Sequence, residues 1–217
     1  MLIAFCVLLP VLGAITVLLL RNHPNARDTA TVITGGLTFW HVLGLLHLVR
    51  EGGRPRLDLF EVVPGVQLAF EVEPLGMVFA LVASFLWPVT SLYAFGYMRE
   101  HHEENQTRFF FFFAIAIAGA LGVAFSANLF TLFAFYEFLT FCTVPLVTHH
   151  QTEEARNAGR VYLGILLTTS VLFQLLAIIW TWQLAGTLEF TSGGILAGTA
   201  SAGVLGAILV LFVFGAG

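Results

Sequence analysis

The chain opens with MLIAFCVLLPVLGAITVLLL, an apolar run from Met1 to Leu20 without a single charge. Similar runs recur along the whole sequence, and they restrict the fold more than any other feature. A hydrocarbon layer of about 30 Å is crossed by roughly twenty helical residues. Only 10% of the 217 residues are charged, against about a quarter in a soluble domain. The sequence therefore specifies an all-α polytopic membrane protein. The first run lacks a basic residue ahead of it and exceeds the roughly 7–15 residues of a signal-peptide core, so it reads as a retained span. A net charge of −4 offers no basic surface for nucleic acid. Cys6 and Cys142 both fall inside apolar runs, as small packing residues rather than a disulfide or metal pair.

Six spans can be placed, with a seventh begun, giving six to seven transmembrane helices. They lie near Leu2–Leu20, Thr29–Val49, Pro74–Met98, Phe109–Phe125, Asn128–Thr148 and Val161–Leu184, with the seventh starting near Ile195. Pro88 predicts a kink in the third, and Trp180 and Trp182 suit a membrane–water interface at the end of the sixth. No linker or shift of composition divides the chain, so residues 1–217 read as one transmembrane helical domain. Between the second and third spans, LDLFEVVPGVQLAFEVE (about residues 57–73) has a Pro64-Gly65 turn followed by alternation. Val66, Leu68, Phe70 and Val72 fall on one side, and Gln67, Ala69, Glu71 and Glu73 on the other. That period of two predicts a β-hairpin at the membrane surface.

The nine basic residues are all arginine. Loops on one side hold Arg21, Arg27, Arg99, Arg108, Arg156 and Arg160, and those on the other hold Arg50, Arg54 and Arg56. The excess places the first set in the cytoplasm, with the N-terminus and the hairpin outward.

One acidic residue stands apart from the other twelve of the thirteen in the chain, which lie in loops or at span ends. Glu137 falls in the middle of LFTLFAFYEFLTFCTVPLV, about 14 Å along a helix from Asn128. A charged residue at mid-membrane costs roughly 2.5–3.5 kcal/mol to insert, and such residues mark ion or proton pathways. The other role open to it is that of a protonated group bonding a neighbouring helix. Ala134 and Thr140, a turn to either side, leave room for water or a partner side chain. No arginine lies at that depth and the chain has no lysine, so either Glu137 works neutral or its cationic partner lies in further C-terminal sequence or another subunit.

His41 and His47 sit in the second span. Haem ligation needs histidines on both porphyrin faces, and six residues apart on one helix these two diverge, so no cofactor is expected. Each reads as a polar packing residue, with a place in a water chain as the other role. His101-His102 and His149-His150, beside Glu103, Glu104, Glu153 and Glu154, read as solvated interfacial groups, since metal binding requires convergent ligands. Gln174, Thr131, Thr140 and Thr143 suit a hydrated path and equally suit bonds to their own helix backbones.

NLFTLFAFYEFLTFCTVPLV resembles the fifth transmembrane helix of the antiporter-like proton-translocating family. That family includes the large subunits of Mrp-type cation/proton antiporters and the antiporter-like subunits of complex I and membrane-bound hydrogenases. Asn128, Tyr136, Glu137 and Pro145 carry the likeness. FGYMREHHEENQTRFFFFFAIAIAG resembles the passage from the third to the fourth helix, and EARNAGRVYLGILL the start of the sixth. The resemblance implies that Glu137 is half of an ion pair with a lysine on the seventh helix, modulating proton uptake. In the family that helix continues past a stretch like LFVFGAG into the lysine, which would follow Gly217. The chain thus reads as the N-terminal half of a larger subunit. It would sit as a multi-pass protein in the bacterial cell (inner) membrane, among the other membrane subunits of a hetero-oligomeric antiporter or complex I-like assembly. Protons, and sodium or potassium, would be its ions.

Overall fold

The computed structural model describes residues 1–216. Six helices are long and apolar enough to cross a membrane: α1 (Leu2–Leu19), α2 (Pro24–Arg50), α3 (Pro74–Glu100), α4 (Gln106–Ala124), α5 (Leu129–Val147) and α6 (Glu153–Ala185). A shorter apolar helix, α7 (Ala202–Ala216), follows. The multi-pass helical fold with a hairpin between the second and third helices is the one read from the sequence. Strands β1 (Arg56–Val63) and β2 (Val66–Glu71) form that hairpin as an antiparallel pair.

Boundaries differ where polar residues join a helix. α2 starts at Pro24, whose fixed φ suits a first helical position. α6 starts at Glu153, well before Val161. Thr152 caps it by accepting the Ala155 N–H at 3.1 Å, and Glu153 and Glu154 face its N-terminal dipole. α7 begins at Ala202 rather than near Ile195, because Gly193, Gly194 and Gly198 adopt left-handed backbone conformations. α3 passes through Pro88 as one continuous helix, and the proline ring lies against Gly35 of α2, where a Cβ would come within 3.1 Å.

α1 packs on α2 and α4, and α3 closes against α2 and α4. α5 lies on α4, α6 on α5, and α7 on a π-helical turn of α6 at Ser170–Leu175. The contact faces carry small and hydroxylated residues. On α2 the buried stripe includes Thr31, Gly35 and Thr38, and on α3 it includes Ala80, Ser84, Ser91 and Ala94. Large side chains such as Trp40, Val78, Leu92 and Tyr93 face outward. Lipid is as apolar as leucine, so close backbone approach rather than hydrophobicity selects the inner face. Hydroxyls there bond back to their own helix, as Thr38 does to the Thr34 carbonyl at 2.8 Å and Ser84 to that of Ala80 at 2.6 Å.

The hairpin turns at Pro64-Gly65, with Gly65 at φ 83. β2 is anchored rather than floating. Its Glu71 N–H donates to the Phe125 carbonyl at 2.7 Å, and its Ala69 carbonyl accepts from Ala127 at 3.0 Å. Ala69, placed by the alternation among the polar residues, is buried, because the α4–α5 link covers that face. Arg56 joins β1 to the α6–α7 connection, donating to Asp58 (2.8 Å), Glu71 (3.2 Å) and Glu189 (2.8 Å). Glu189 first, and Asp58 after it, hold its guanidinium more firmly protonated than usual against the opposing effect of burial.

Candidate functional site

α5 is fixed at both ends. At the hairpin end Asn128, 1% exposed, caps the helix by accepting the Thr131 N–H at 2.8 Å. Its amide donates to the Gln67 carbonyl of β2 at 2.8 Å and to Glu189 at 3.2 Å. The Thr131 hydroxyl accepts the Ala69 N–H at 3.1 Å. At the opposite end Arg108, in the first turn of α4, donates to the carbonyls of Pro145 (3.2 Å), Thr148 (3.0 Å) and His149 (3.0 Å). A cation there satisfies the last carbonyls of the helix and complements its dipole.

Between these anchors, with α5 lying against α4 and α6, Glu137 is partly covered. Its Oε1 is sealed from the surface and accepts no hydrogen bond from any described residue. Among the described residues it enters no ion pair. A sealed carboxyl oxygen without a donor carries an uncompensated desolvation cost. Thr140, one turn on, is buried, and its hydroxyl donates to the Tyr136 carbonyl at 3.1 Å, which is the own-backbone role. Thr143 bonds the Thr140 carbonyl at 2.9 Å and also approaches the Tyr162 hydroxyl of α6 at 3.0 Å.

Gln174 is the second sealed group. It lies in the π-helical turn of α6, 4% exposed, and its Oε1 also lacks a partner among the described residues. Gly215 of α7 presses against it so closely that a Cβ there would stand 2.5 Å from the Gln174 backbone nitrogen. A single π turn inside an α-helix commonly marks a functional position.

The structure does not bring the second-span histidines into this group. The His41 Nδ1 donates to the Leu37 carbonyl at 2.8 Å, with its ring 5.8 Å from that of Phe5. The His47 side chain is 76% exposed and faces Glu51. The loop histidines do converge on one cleft, with His101, His102, His149 and His150 around Glu103 and Glu104. Among the described residues no three His, Cys, Asp or Glu are placed as metal ligands. His149 is not fully solvated as the sequence suggested. Both ring nitrogens are sealed and unbonded, and its ring meets that of Phe109 edge-on. Burial, then the Arg108 charge, lowers its proton affinity below the ordinary histidine value, with Glu103 opposing.

Two tertiary arrangements have little signature in the sequence. Arg108, at the loop end of α4, is partly buried against the end of α5. Asp28, at the end of a span, is 5% exposed and held between Arg27 at 2.8 Å and Arg99. The signal for the latter was the adjacency of Arg27 and Asp28 at a helix start, opposite an arginine at the end of the next span.

Comparison with known proteins gives matches along most of the chain. The family described as NADH-ubiquinone oxidoreductase (complex I), chain 5 N-terminus, matches residues 64–110. That described as NADH:quinone oxidoreductase/Mrp antiporter, TM, matches residues 126–216. A relative named as an antiporter subunit, mnhD2, from Staphylococcus aureus strain MRSA252 is 27% identical over 85% of this chain. Its counterpart in strain JH9 is 27% identical over the same share. The chain spans 36% of the length of these curated relatives. Among solved structures, a chain of the archaeal membrane-bound sulfane sulfur reductase aligns at a TM-score of 0.78 and 22% identity, over 97% of this chain and 32% of that one. A chain of the Mrp complex from Dietzia sp. DQ12-45-1b aligns at 0.76 and 18%, over 100% of this chain and 23% of that one. At those identities the structures establish the fold. The two family matches make the chain similar, over residues 64–110 and 126–216, to the antiporter-like membrane subunits shared by NADH:quinone oxidoreductase and the Mrp antiporters.

Proposed function

We propose that this chain belongs to a proton- and cation-translocating subunit of a multi-subunit monovalent cation/proton antiporter, with Glu137 as the group that exchanges protons. The observation that carries this reading is the Glu137 Oε1, mid-helix, sealed and without a donor among the described residues. A carboxyl retained under that cost suits a role that needs it, and a cation brought near it would favour its ionised form. A tenfold change in proton affinity corresponds to about 1.4 kcal/mol, and moving one charge through 100 mV to about 2.3 kcal/mol. A partner that changes its distance from Glu137 modestly could therefore gate protons against a realistic potential. Thr140, one turn from Glu137, and Gln174 of α6 are the polar groups proposed to border the path, while His41, bonded to its own helix, and the exposed His47 stay outside it.

The exchanged ions would be protons against sodium or potassium, and the partners other membrane subunits of the assembly. Residues 1–217 would form one transmembrane domain, the N-terminal part of a longer subunit, in keeping with the 36% of the curated relatives' length that they match. The cationic partner expected just after Gly217 lies outside the described residues. The bacterial curated relatives support placement in a bacterial cell membrane. The wording of the matched families also supports a second reading, a proton-pumping subunit of complex I, with the same role for Glu137; an energy-conserving hydrogenase would use the subunit in the same way.

In the assembled complex, Glu137→Gln is expected to lower proton-coupled transport at least about tenfold without lowering the unfolding temperature. Transport at the wild-type rate would leave a non-conducting packing role as the account of this residue.

A further inference from the structure

A groove of about 560 Å³ opens where the start of α2 meets the end of α3, on the arginine-rich side of the molecule. Asp28, Thr29, Ile33, Phe95, Gly96 and Arg99 line it. Its polar end is not neutral. Asp28 is one carboxylate shared by two guanidinium groups, leaving one positive charge over. Arg27 is 3% exposed and committed inward, donating to Asp28 (2.8 Å), Thr107 (3.1 Å) and Gln106 (3.1 Å) and lying over the Phe110 ring. The surplus charge therefore falls on Arg99. Its side chain is 45% exposed, and among the described residues only Asp28 accepts a hydrogen bond from it.

Away from Arg99 the walls turn apolar through Val32, Ile33 and Leu92, which continue onto the outward face of α2 and α3. Gly96 stands three residues before Arg99, on the same helical face. A Cβ built there would meet no atom within 4 Å, so the floor of the groove is open space. The cavity thus joins an unsatisfied guanidinium fork at the membrane–water boundary to an apolar slot running into the bilayer.

We propose that this groove binds one anionic phospholipid, its phosphate on Arg99 and an acyl chain along Ile33 and Leu92. A guanidinium with spare donors binds a phosphodiester through charge-assisted hydrogen bonds. The arginine-rich side faces the leaflet in which anionic lipids concentrate. The apolar wall selects a lipid over a free anion, since phosphate alone would leave it empty.

The test is retention of spin-labelled phosphatidylglycerol against phosphatidylcholine by the full-length protein in its purified membrane complex. Wild type should hold phosphatidylglycerol preferentially. Arg99→Gln should reduce that preference about fivefold. Because Arg99→Gln also breaks the pair with Asp28, Gly96→Leu is the decisive variant. It fills open space, raises helix propensity, and should displace the lipid without lowering the unfolding temperature. Equal retention of the two lipids by wild type, or undiminished phosphatidylglycerol on Gly96→Leu, would overturn the proposal. So would competition by inorganic phosphate alone, which would mark a free-anion site. Loss of a neighbouring subunit from Gly96→Leu with its lipid unchanged would assign the groove to a protein helix and overturn it as well.

Discussion

His149 shows how a single ring can report its surroundings. Burial and the Arg108 charge depress its proton affinity, assisted by His150 and opposed by Glu103. In the unfolded chain it titrates near the usual 6.5. Between that value and its lower folded one, the unfolded state binds a proton that the folded state refuses, so stability falls with pH through that window. The unfolding temperature should therefore drop as pH is lowered from 7.5 towards 5.5. His149→Phe, which keeps the edge-on packing against Phe109, should flatten the dependence; an unaltered profile in that variant would assign the titration elsewhere. Glu137 was legible from its position alone, because a lone acid in an apolar run has few explanations. Asp28 was not, because its burial depends on Arg99, 71 positions away in sequence.

At the scale of elements, the helices were legible because length and apolarity suffice to define a span. Their contact faces were not. Hydrophobic periodicity finds the buried side of a helix in water, but in lipid the outer face is the more apolar one. Thr31, Gly35 and Thr38 on α2, and Ser84 and Ser91 on α3, mark the inner stripe by size. The same logic governs α7, whose Gly215 sits on the π turn of α6. Gly215→Val should force the two helices apart, costing about 1–3 kcal/mol. It should speed hydrogen exchange at Ser170–Leu175, and exchange as slow as wild type would mean that α7 can shift freely.

For the whole molecule, Asn128 is where the parts meet. Its side chain caps α5, bonds β2 and reaches Glu189 in the α6–α7 connection. Asn128→Ala removes all three bonds from a buried site and should cost about 1–3 kcal/mol, measured as a lower unfolding temperature of the purified protein. A variant as stable as wild type would show that the hairpin merely rests on the bundle. This arrangement also gives a physical reason for an asparagine at the head of the segment that resembles the family. It needs one side chain with both an acceptor for a helix N–H and donors for a strand carbonyl.

The sequence by itself determined that the chain crosses a membrane several times, which side carries the arginines, where the hairpin turns and which acid is out of place. Those follow from local properties: the length of an apolar run, the cost of a charge in hydrocarbon, the φ that glycine permits. Tertiary structure alone decided which of the remaining polar groups are buried and with whom. Arg108 closes α5 from the neighbouring helix, Asp28 sits between two arginines from different helices, and a glycine on α7 packs against Gln174. Each needs a partner from a distant part of the chain, and a residue's own neighbourhood, even the adjacent Arg27 and Asp28, does not encode that meeting.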